Sequence, residues 1–371
     1  MFLKTEGIEC NQERLLKYPH ALTLLWPKDS DAINAITFPI TVRLSWRATR
    51  SGSRTGTAKM ITAIKQLLLA CLAVAVLHLP DQARAQFTDP RNYDNTPVGT
   101  NQIELAYTYA RSNASIDTGL VIAGAKFNLN AGTIDYSRYF GIANHLMWVN
   151  GAVPIAGLSG SVTGTNIRGS INGAADSSYQ VAALLKGGPA LRVAEFDNYK
   201  PETIVGVSFS IAAPSGQYDG NKILNLGSNR WLFRPEIALS HPFGPEQKWQ
   251  LDTYANCEFY TDNVSYRGTE VLSAQPLPGL EGHISYSLND KLWAALDTRY
   301  SLRGDTSING VDQNASQQNF IIGSEVNLAL NLQHSLVFQF AKALVHRNGT
   351  AYTGFTVKYD FVWGKGYRTK R

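Results

Sequence analysis

Hydrophobic and polar residues alternate along the segment Trp249–Tyr260, so that its odd and even positions differ in character. The odd positions are mostly apolar or small: Trp249, Leu251, Thr253, Ala255, Cys257 and Phe259. The even positions are mostly polar: Gln250, Asp252, Tyr254, Asn256, Glu258 and Tyr260. A period of two residues predicts a β-strand with two different faces. This segment is longer than most strands of soluble proteins.

The same kind of segment recurs from Asn101 to the C-terminal region. We predict twelve strands: Asn101–Ala110, Lys126–Phe140, His145–Val153, Ser178–Leu185, Thr203–Ala213, Asn229–Ser240, Trp249–Tyr260, Leu277–Leu288, Leu292–Leu302, Gln317–Leu330, His334–Val345 and Ala351–Trp363. An even number of strands is expected of a bacterial outer-membrane β-barrel, in which both ends of the chain lie in the periplasm.

The connections between these strands are alternately short and long. The short ones are Gly141–Asn144, His241–Lys248, Asn289–Lys291 and Asn331–Gln333. The long ones are rich in Gly, Ser, Asn and Asp, namely Pro154–Ser177, Pro214–Ser228, Thr261–Pro276 and Arg303–Ser316. Short periplasmic turns and long outer loops are typical of outer-membrane barrels. Two connections break the alternation, because Lys186–Glu202 is too long for a turn and His346–Thr350 is too short for an outer loop.

Aromatic residues cluster near the predicted strand ends, where girdles form at the two membrane interfaces. They are Tyr107, Tyr109, Tyr136, Trp148, Trp231, Trp249, Tyr260, Tyr286, Trp293, Tyr300, Tyr352 and Trp363. Alternation, loop lengths and aromatic positions together predict an all-β protein, a transmembrane antiparallel β-barrel of about 12 strands in the outer membrane of a Gram-negative bacterium.

A secretory signal peptide is predicted for residues 60–85. Met60 is followed by Lys65, the apolar run Leu67–Leu79 and the small-residue site Ala83-Arg84-Ala85, which is the order of a signal peptide. The run is too short for a transmembrane helix, which needs roughly 20 apolar residues. Cleavage after Ala85 would leave residues 86–371 as the barrel. A lipoprotein cleavage box ending at Cys71 is the alternative, but it would leave an apolar stub on the product.

Residues 1–59 show no strand or helix period, and we interpret them either as sequence upstream of the true start or as a long basic n-region. Residues 1–85 carry 11 of the 34 basic and 6 of the 29 acidic residues, so that the predicted mature chain has 23 of each. A formally neutral chain gives no electrostatic reason to expect nucleic-acid binding.

The predicted mature chain keeps one cysteine, Cys257, which excludes an intramolecular disulfide and a cysteine-based metal site. We expect no cofactor.

Several motifs between Thr203 and Leu302 resemble a known family of outer-membrane proteins. The segments are Arg234-Pro235-Glu236-Ile237-Ala238-Leu239-Ser240-His241-Pro242-Phe243-Gly244-Pro245, Trp249-Gln250-Leu251-Asp252, Phe259-Tyr260-Thr261-Asp262-Asn263 and Pro214-Ser215-Gly216-Gln217-Tyr218-Asp219. The chain is similar in these segments to the proteins named after the MetA-pathway of phenol degradation. The resemblance implies a barrel-forming transporter for aromatic or other hydrophobic compounds.

The polar strand faces supply the candidate lumen residues: Arg234, Glu236, Asp252, Glu258, Glu281, Asp297, Arg299, Glu325 and Lys358, with His283 and Asp360 beside them. A Lys or Arg facing lipid at the midplane costs about 2–4 kcal/mol, so we expect these charges to point inward. Two interpretations are open. The charges could form a constriction that selects solutes, or a salt-bridged plug that braces the barrel. The turn-rich Pro214–Asp219 could likewise fold inward or form a plain turn.

We therefore expect a passive channel for small, hydrophobic or aromatic solutes, with outer-membrane lipid as its surroundings. The sequence does not indicate the oligomeric state. The alternative is a structural or adhesion barrel whose outer loops carry the function. A barrel enzyme is not expected. The segment His346-Arg347-Asn348-Gly349 is similar to the His/Asn pattern of an outer-membrane phospholipase, but no serine nucleophile follows it, and Asn-Gly between two strands predicts a hairpin turn.

Overall fold

The computed structural model describes residues 88–113, 125–166, 168–222, 224–303, 306–347 and 351–367. The predicted signal peptide, the region before it and the proposed cleavage point lie outside these residues. The Asn-Gly pair predicted to form a hairpin turn also lies outside them. Among the described residues, no helix is long and apolar enough to cross a membrane.

The described chain is almost entirely β-structure. The strands are β1 Asn101–Ser112, β2 Ala125–Ile142, β3 His145–Val162, β4 Arg168–Ala174, β5 Ser178–Lys186, β6 Ile204–Ala212, β7 Leu232–Phe243, β8 Trp249–Tyr260, β9 Asn263–Tyr266, β10 Glu270–Ala274, β11 Leu277–Asn289, β12 Leu292–Arg303, β13 Thr306–Ile308, β14 Val311–Asp312, β15 Gln317–Ala329, β16 His334–Arg347 and β17 Tyr352–Trp363. Two short 3-10 helices lie at Val193–Asn198 and Pro245–Gln247.

Twelve strands close into an antiparallel barrel in the order β1, β2, β3, β5, β6, β7, β8, β11, β12, β15, β16 and β17. Closure is made by β1, which pairs with β2 on one side and with β17 on the other. Asn101 is opposite Trp363 at one end of this last pair, and Ser112 is opposite Tyr352 at the other. The predicted fold class and all twelve predicted strands are confirmed. Every barrel strand hydrogen-bonds on both sides, which removes the open edges that lipid could not satisfy.

The alternation read from the sequence separates the two faces of the barrel wall. On β8, Leu251 has 44 % of its surface exposed, whereas its neighbour Asp252 has 0 %. The same contrast relates Leu280 at 54 % to Glu281 at 0 % on β11. On these strands apolar side chains therefore cover the outside of the barrel and charged ones point inside, as expected of a barrel that spans a lipid bilayer.

The predicted outer loops contain regular structure. The segment predicted as the loop Pro154–Ser177 is largely a hairpin, because β3 continues to Val162 and pairs there with β4. Two further predicted loops contribute β9, β10, β13 and β14, which form a separate four-stranded sheet. These strands lack the long alternation of the barrel wall, so the sequence pattern predicted loops where short hairpins form.

The long connection between β5 and β6, predicted to break the alternation, covers the periplasmic end of the barrel. Its residues accept hydrogen bonds from the segment that precedes β1: Asn95 Nδ2 donates to Pro189 O at 3.1 Å, and Val98 N donates to Leu191 O at 2.8 Å. Within the connection, Tyr199 donates its hydroxyl to Gly187 O at 2.8 Å, and burial raises the pKa of this tyrosine to about 12. The extra length therefore holds the chain before β1 at this end.

Candidate functional site

All nine predicted lumen residues lie on inward-facing positions of the barrel strands. Seven of them are buried, and Arg234 and Glu258 are partly accessible. The structure brings most of them into two groups, one on the walls of β7, β8, β11 and β12 and the other around Lys358 on β17. Asp252 lies beside these groups, near the periplasmic end of β8.

The first group is an ion-pair cluster of two arginines and three glutamates. Arg299 Nη1 lies 2.8 Å from Glu281 Oε1, and Arg299 Nη2 lies 3.0 Å from Glu258 Oε1. Arg234 Nη2 lies 2.6 Å from Glu236 Oε2 and 3.5 Å from Glu281 Oε1. Glu281 and Arg299 meet because they are direct cross-strand partners of β11 and β12. Both arginines in this cluster are therefore paired, and the cluster holds one carboxylate more than it has guanidinium groups.

Asp297 forms a second cross-strand pair two residues further along the same strands. His283 Nδ1 lies 2.9 Å from Asp297 Oδ1, and His283 Nε2 lies 3.8 Å from Glu281 Oε2. The pair register of β11 and β12 places His283 opposite Asp297. Inward charges on these two strands are thus arranged as neighbouring pairs.

The second group surrounds Lys358 and includes a residue that the sequence did not indicate. Lys358 Nζ lies 2.5 Å from Asp89 Oδ2 and 3.4 Å from Glu104 Oε2. Gln339 Nε2 donates to Glu325 Oε2 at 2.5 Å and to Asp89 Oδ1 at 2.7 Å. Asp89 therefore joins side chains of β15, β16 and β17 from within the lumen.

Asp89 belongs to the segment Thr88–Thr100, which enters the lumen from the periplasmic end; we call it the lumen segment. Thr88 N donates to Glu281 Oε2 at 2.7 Å, and the Thr88 hydroxyl donates to Glu236 Oε2 at 3.0 Å. Arg91 N donates to Asp252 Oδ2 at 3.1 Å. Residues 86–100 belong to none of the twelve strands predicted from the sequence. Their place inside the barrel was missed, because polar contacts between distant residues leave no periodic signal.

The side chain of Arg91 in the lumen segment contacts three residues of the barrel wall. Arg91 Nε donates to Ser285 Oγ at 2.8 Å, and Arg91 Nη1 donates to Ser287 Oγ at 3.1 Å. Its guanidinium carbon lies 4.8 Å from the centre of the Trp293 ring, a distance typical of a cation–π contact. Trp293 was predicted for an interfacial girdle, which is wrong because its side chain faces the lumen.

Tyr93 anchors the lumen segment in an apolar part of the wall. Its side chain is fully buried in a cluster with Leu146, Trp148, Ala182, Leu184, Ile204, Ala238 and Tyr254. Its hydroxyl lies 2.9 Å from both Ser208 Oγ and Glu236 Oε1, so the polar end of this buried side chain has two hydrogen-bond partners. Trp148, also predicted for a girdle, instead faces the lumen with its ring centre 5.5 Å from that of Tyr93.

The outer end of the lumen is lined by a second apolar cluster. Phe127, Leu129 and Ala131 share the inward face of β2 with Asp135, and they pack with Leu158 of β3. Leu226 enters this cluster from the connection between β6 and β7 and is fully buried there. This connection, residues 213–231, therefore folds inward. This agrees with the first of the two interpretations of Pro214–Asp219, an inward fold. We call the connection the mouth loop.

Asp176 fixes the mouth loop to the end of the β4 hairpin. Its Oδ1 accepts from Gly216 N at 2.8 Å. Its Oδ2 accepts from Ser228 N at 2.8 Å and from Ser228 Oγ at 2.6 Å. Further contacts join Ser215 Oγ to Ser177 Oγ at 2.8 Å. A loop held at both ends by one carboxylate presents a preformed surface to the barrel mouth.

Comparison with solved structures shows the same fold elsewhere. An outer membrane channel from Pseudomonas putida F1 has a TM-score of 0.64 and 20% sequence identity, with 75% of this chain and 100% of that chain covered. The beta domain of the Bordetella autotransporter BrkA has a TM-score of 0.45 and 11% sequence identity, with 72% of this chain and 100% of that chain covered. A search of curated proteins finds no match.

The family whose description reads "Putative MetA-pathway of phenol degradation" matches residues 92–359. This match spans the lumen segment from Asn92 and the barrel strands up to Tyr359 of β17. The barrel, with its apolar exterior, is an outer-membrane protein of the Gram-negative type. On this evidence the chain belongs to the family of the MetA-pathway of phenol degradation.

Proposed function

We propose that the protein is a passive outer-membrane channel for small hydrophobic or aromatic molecules. The observation that carries the proposal is the apolar lining of the barrel interior. Water-filled porins have polar interiors, whereas here Phe127, Leu129 and Leu158 line the outer end and Leu146 and Trp148 line the periplasmic end. The family description, which refers to phenol degradation, supports an aromatic solute.

The charged lumen residues act in this proposal as braces more than as a selectivity filter. Arg234 and Arg299 have glutamate partners within 3.0 Å, and Lys358 contacts Asp89 of the lumen segment. A charge that is already paired offers little attraction to a passing solute, and separating a buried pair costs several kcal/mol. The network therefore fixes the charged wall of β7, β8, β11 and β12, and the solute follows the apolar wall opposite.

The lumen segment blocks this route at the periplasmic end. Tyr93 covers the apolar wall at Leu146, Trp148 and Leu184. A solute that follows this wall to the periplasm has to displace the tyrosine. The segment is held by hydrogen bonds and one buried ring, with no strand pairing of its own before Asn101. It can therefore move while the barrel stays closed.

Uptake by intact Gram-negative cells tests the channel. The outer leaflet of lipopolysaccharide slows hydrophobic solutes, so entry of labelled toluene or phenol into cells that produce the protein should be faster than into cells that lack it. Tyr107→Ala provides the control, because Tyr107 lies on the lipid-facing side of β1, 52 % exposed, and its loss should leave uptake at the parent rate. Equal uptake with and without a correctly folded protein would refute the proposal.

A further inference from the structure

A cavity at the outer mouth lies between the β3–β4 hairpin, the end of β2 and the mouth loop. Its volume is about 420 Å³. Its apolar lining comes from Phe127, Val162, Ile171 and Leu224. Ligand pockets usually have volumes of about 300–1,000 Å³, and a dry cavity of roughly 150 Å³ holds a benzene molecule. The cavity is therefore large enough for one substituted aromatic ring.

Two glycines form its floor. Gly160 of β3 and Gly169 of β4 are cross-strand partners. A Cβ atom on Gly160 would lie 2.5 Å from Phe127 Cδ1, and one on Gly169 would lie 3.0 Å from Leu224 Cδ1. Glycine in a strand weakens it and marks a place where another group comes close to the backbone. With no side chain at either glycine, Phe127 and Leu224 lie directly against the backbone of the floor and present an apolar surface to the cavity.

The polar groups at the rim include amides and two basic residues, Arg168 and Lys222. Gln217 and Asn221 line the cavity, and Lys222 forms an ion pair with Asp219 at 3.1 Å. The backbone N–H of Asn221, followed by Lys222, holds the pKa of Asp219 below its usual value, so the pair persists at neutral pH. Among the described residues that line the cavity, none is acidic. A cationic ligand would find no charge partner in this lining.

We propose that this cavity is a capture site for a planar aromatic molecule with a single ring and no positive charge. The inference rests on the proposed channel function, and it adds the place where the solute first binds. Phe127 and Leu224, which cover the glycine floor, contact one face of the ring. Val162 and Ile171 contact its edges, and the amide of Gln217 can form a hydrogen bond with one polar substituent. Because Asp176 fixes the mouth loop, the cavity exists before the ligand arrives, so little binding energy is spent on ordering it.

Calorimetric titration of the purified full barrel with toluene tests the site, and methylcyclohexane serves as the non-planar probe. Gly169→Leu places a side chain on the cavity floor, and Asn172→Leu is the matched control, because Asn172 lies on the same strand but does not line the cavity. Both changes lie on β4, outside the twelve barrel strands. The heat-dependent shift of barrel mobility in gel electrophoresis checks that each variant is folded.

We expect saturable toluene binding to the parent and to Asn172→Leu, with affinity about tenfold or more lower in Gly169→Leu. Methylcyclohexane should bind more weakly than toluene. Equal affinity of the two folded variants would overturn the site, and equal affinity for the two probes would overturn the planar class. Saturable binding without any uptake into cells would refute the channel and leave the capture site standing, so the two proposals fail separately.

Discussion

Tyr93 should control how often the lumen segment leaves the barrel interior. Its ring is fully buried and its hydroxyl contacts Ser208 and Glu236. Replacing a buried aromatic residue by alanine costs about 3–5 kcal/mol. At about 1.4 kcal/mol for each factor of ten, Tyr93→Ala should raise the undocked fraction on the order of a thousandfold. Tyr93→Phe, which loses only the hydroxyl contact, should raise it about tenfold.

The assay is thiol labelling of a single cysteine in the lumen segment. Asn92→Cys supplies the thiol, and Cys257→Ala removes the cysteine of the mature chain that lies on the lipid-facing side of β8. The labelling rate with a water-soluble reagent is proportional to the undocked fraction when docking is fast. Tyr107→Ala is the matched control, because Tyr107 is 52 % exposed on the outer face of β1.

We expect labelling to become faster in the order parent, Tyr93→Phe, Tyr93→Ala, with the Tyr107→Ala rate equal to the parent rate. The barrel must keep its folded gel mobility in every variant. The reasoning is refuted if Tyr93→Ala, correctly folded, is labelled at the parent rate. That result would mean that the polar contacts of Thr88, Asp89 and Arg91 hold the segment without the aromatic anchor.

Three further predictions concern the wall, the network and the amino terminus. Leu251→Arg should lower the free energy of unfolding by about 2–4 kcal/mol, measured by urea titration in lipid; an unchanged midpoint would contradict the lipid-facing assignment. Arg299→Met removes the cation nearest to Glu258 and Glu281 and should cost about 3 kcal/mol in the same titration, whereas a neutral effect would argue against bracing. Sequencing of the protein purified from outer membranes should begin at Gln86, and a start before Met60 would exclude the proposed cleavage after Ala85.

The barrel was predictable from the sequence because a strand between lipid and lumen must alternate at every position. On β8 the predicted bounds, Trp249–Tyr260, agree with the structure at both ends. The inward direction of the lumen charges followed from the same alternation, since Asp252 and Glu258 share the parity of the buried face. Lipid penalises a charge on the outer face strongly enough to make this part of the pattern dependable.

The partners of those charges depended on strand register and strand order, which the sequence does not state. Glu281 meets Arg299 because β11 and β12 pair with those two residues opposite each other. The mouth cavity requires Gly160, Gly169 and Leu224 to meet, although Leu224 is separated along the chain from Gly169 by two further strands and from Gly160 by three.

By itself the sequence determined the class of fold, the number of barrel strands and the inward direction of the charged wall residues, because these follow from a two-residue period imposed by the bilayer. Only the tertiary structure decided what fills the interior. The lumen segment Thr88–Thr100 has no period and few apolar residues, so nothing local distinguishes it from a linker. It lies in the lumen because Tyr93 and Asp89 find partners on strands more than a hundred residues away, and such contacts exist only once the barrel has closed.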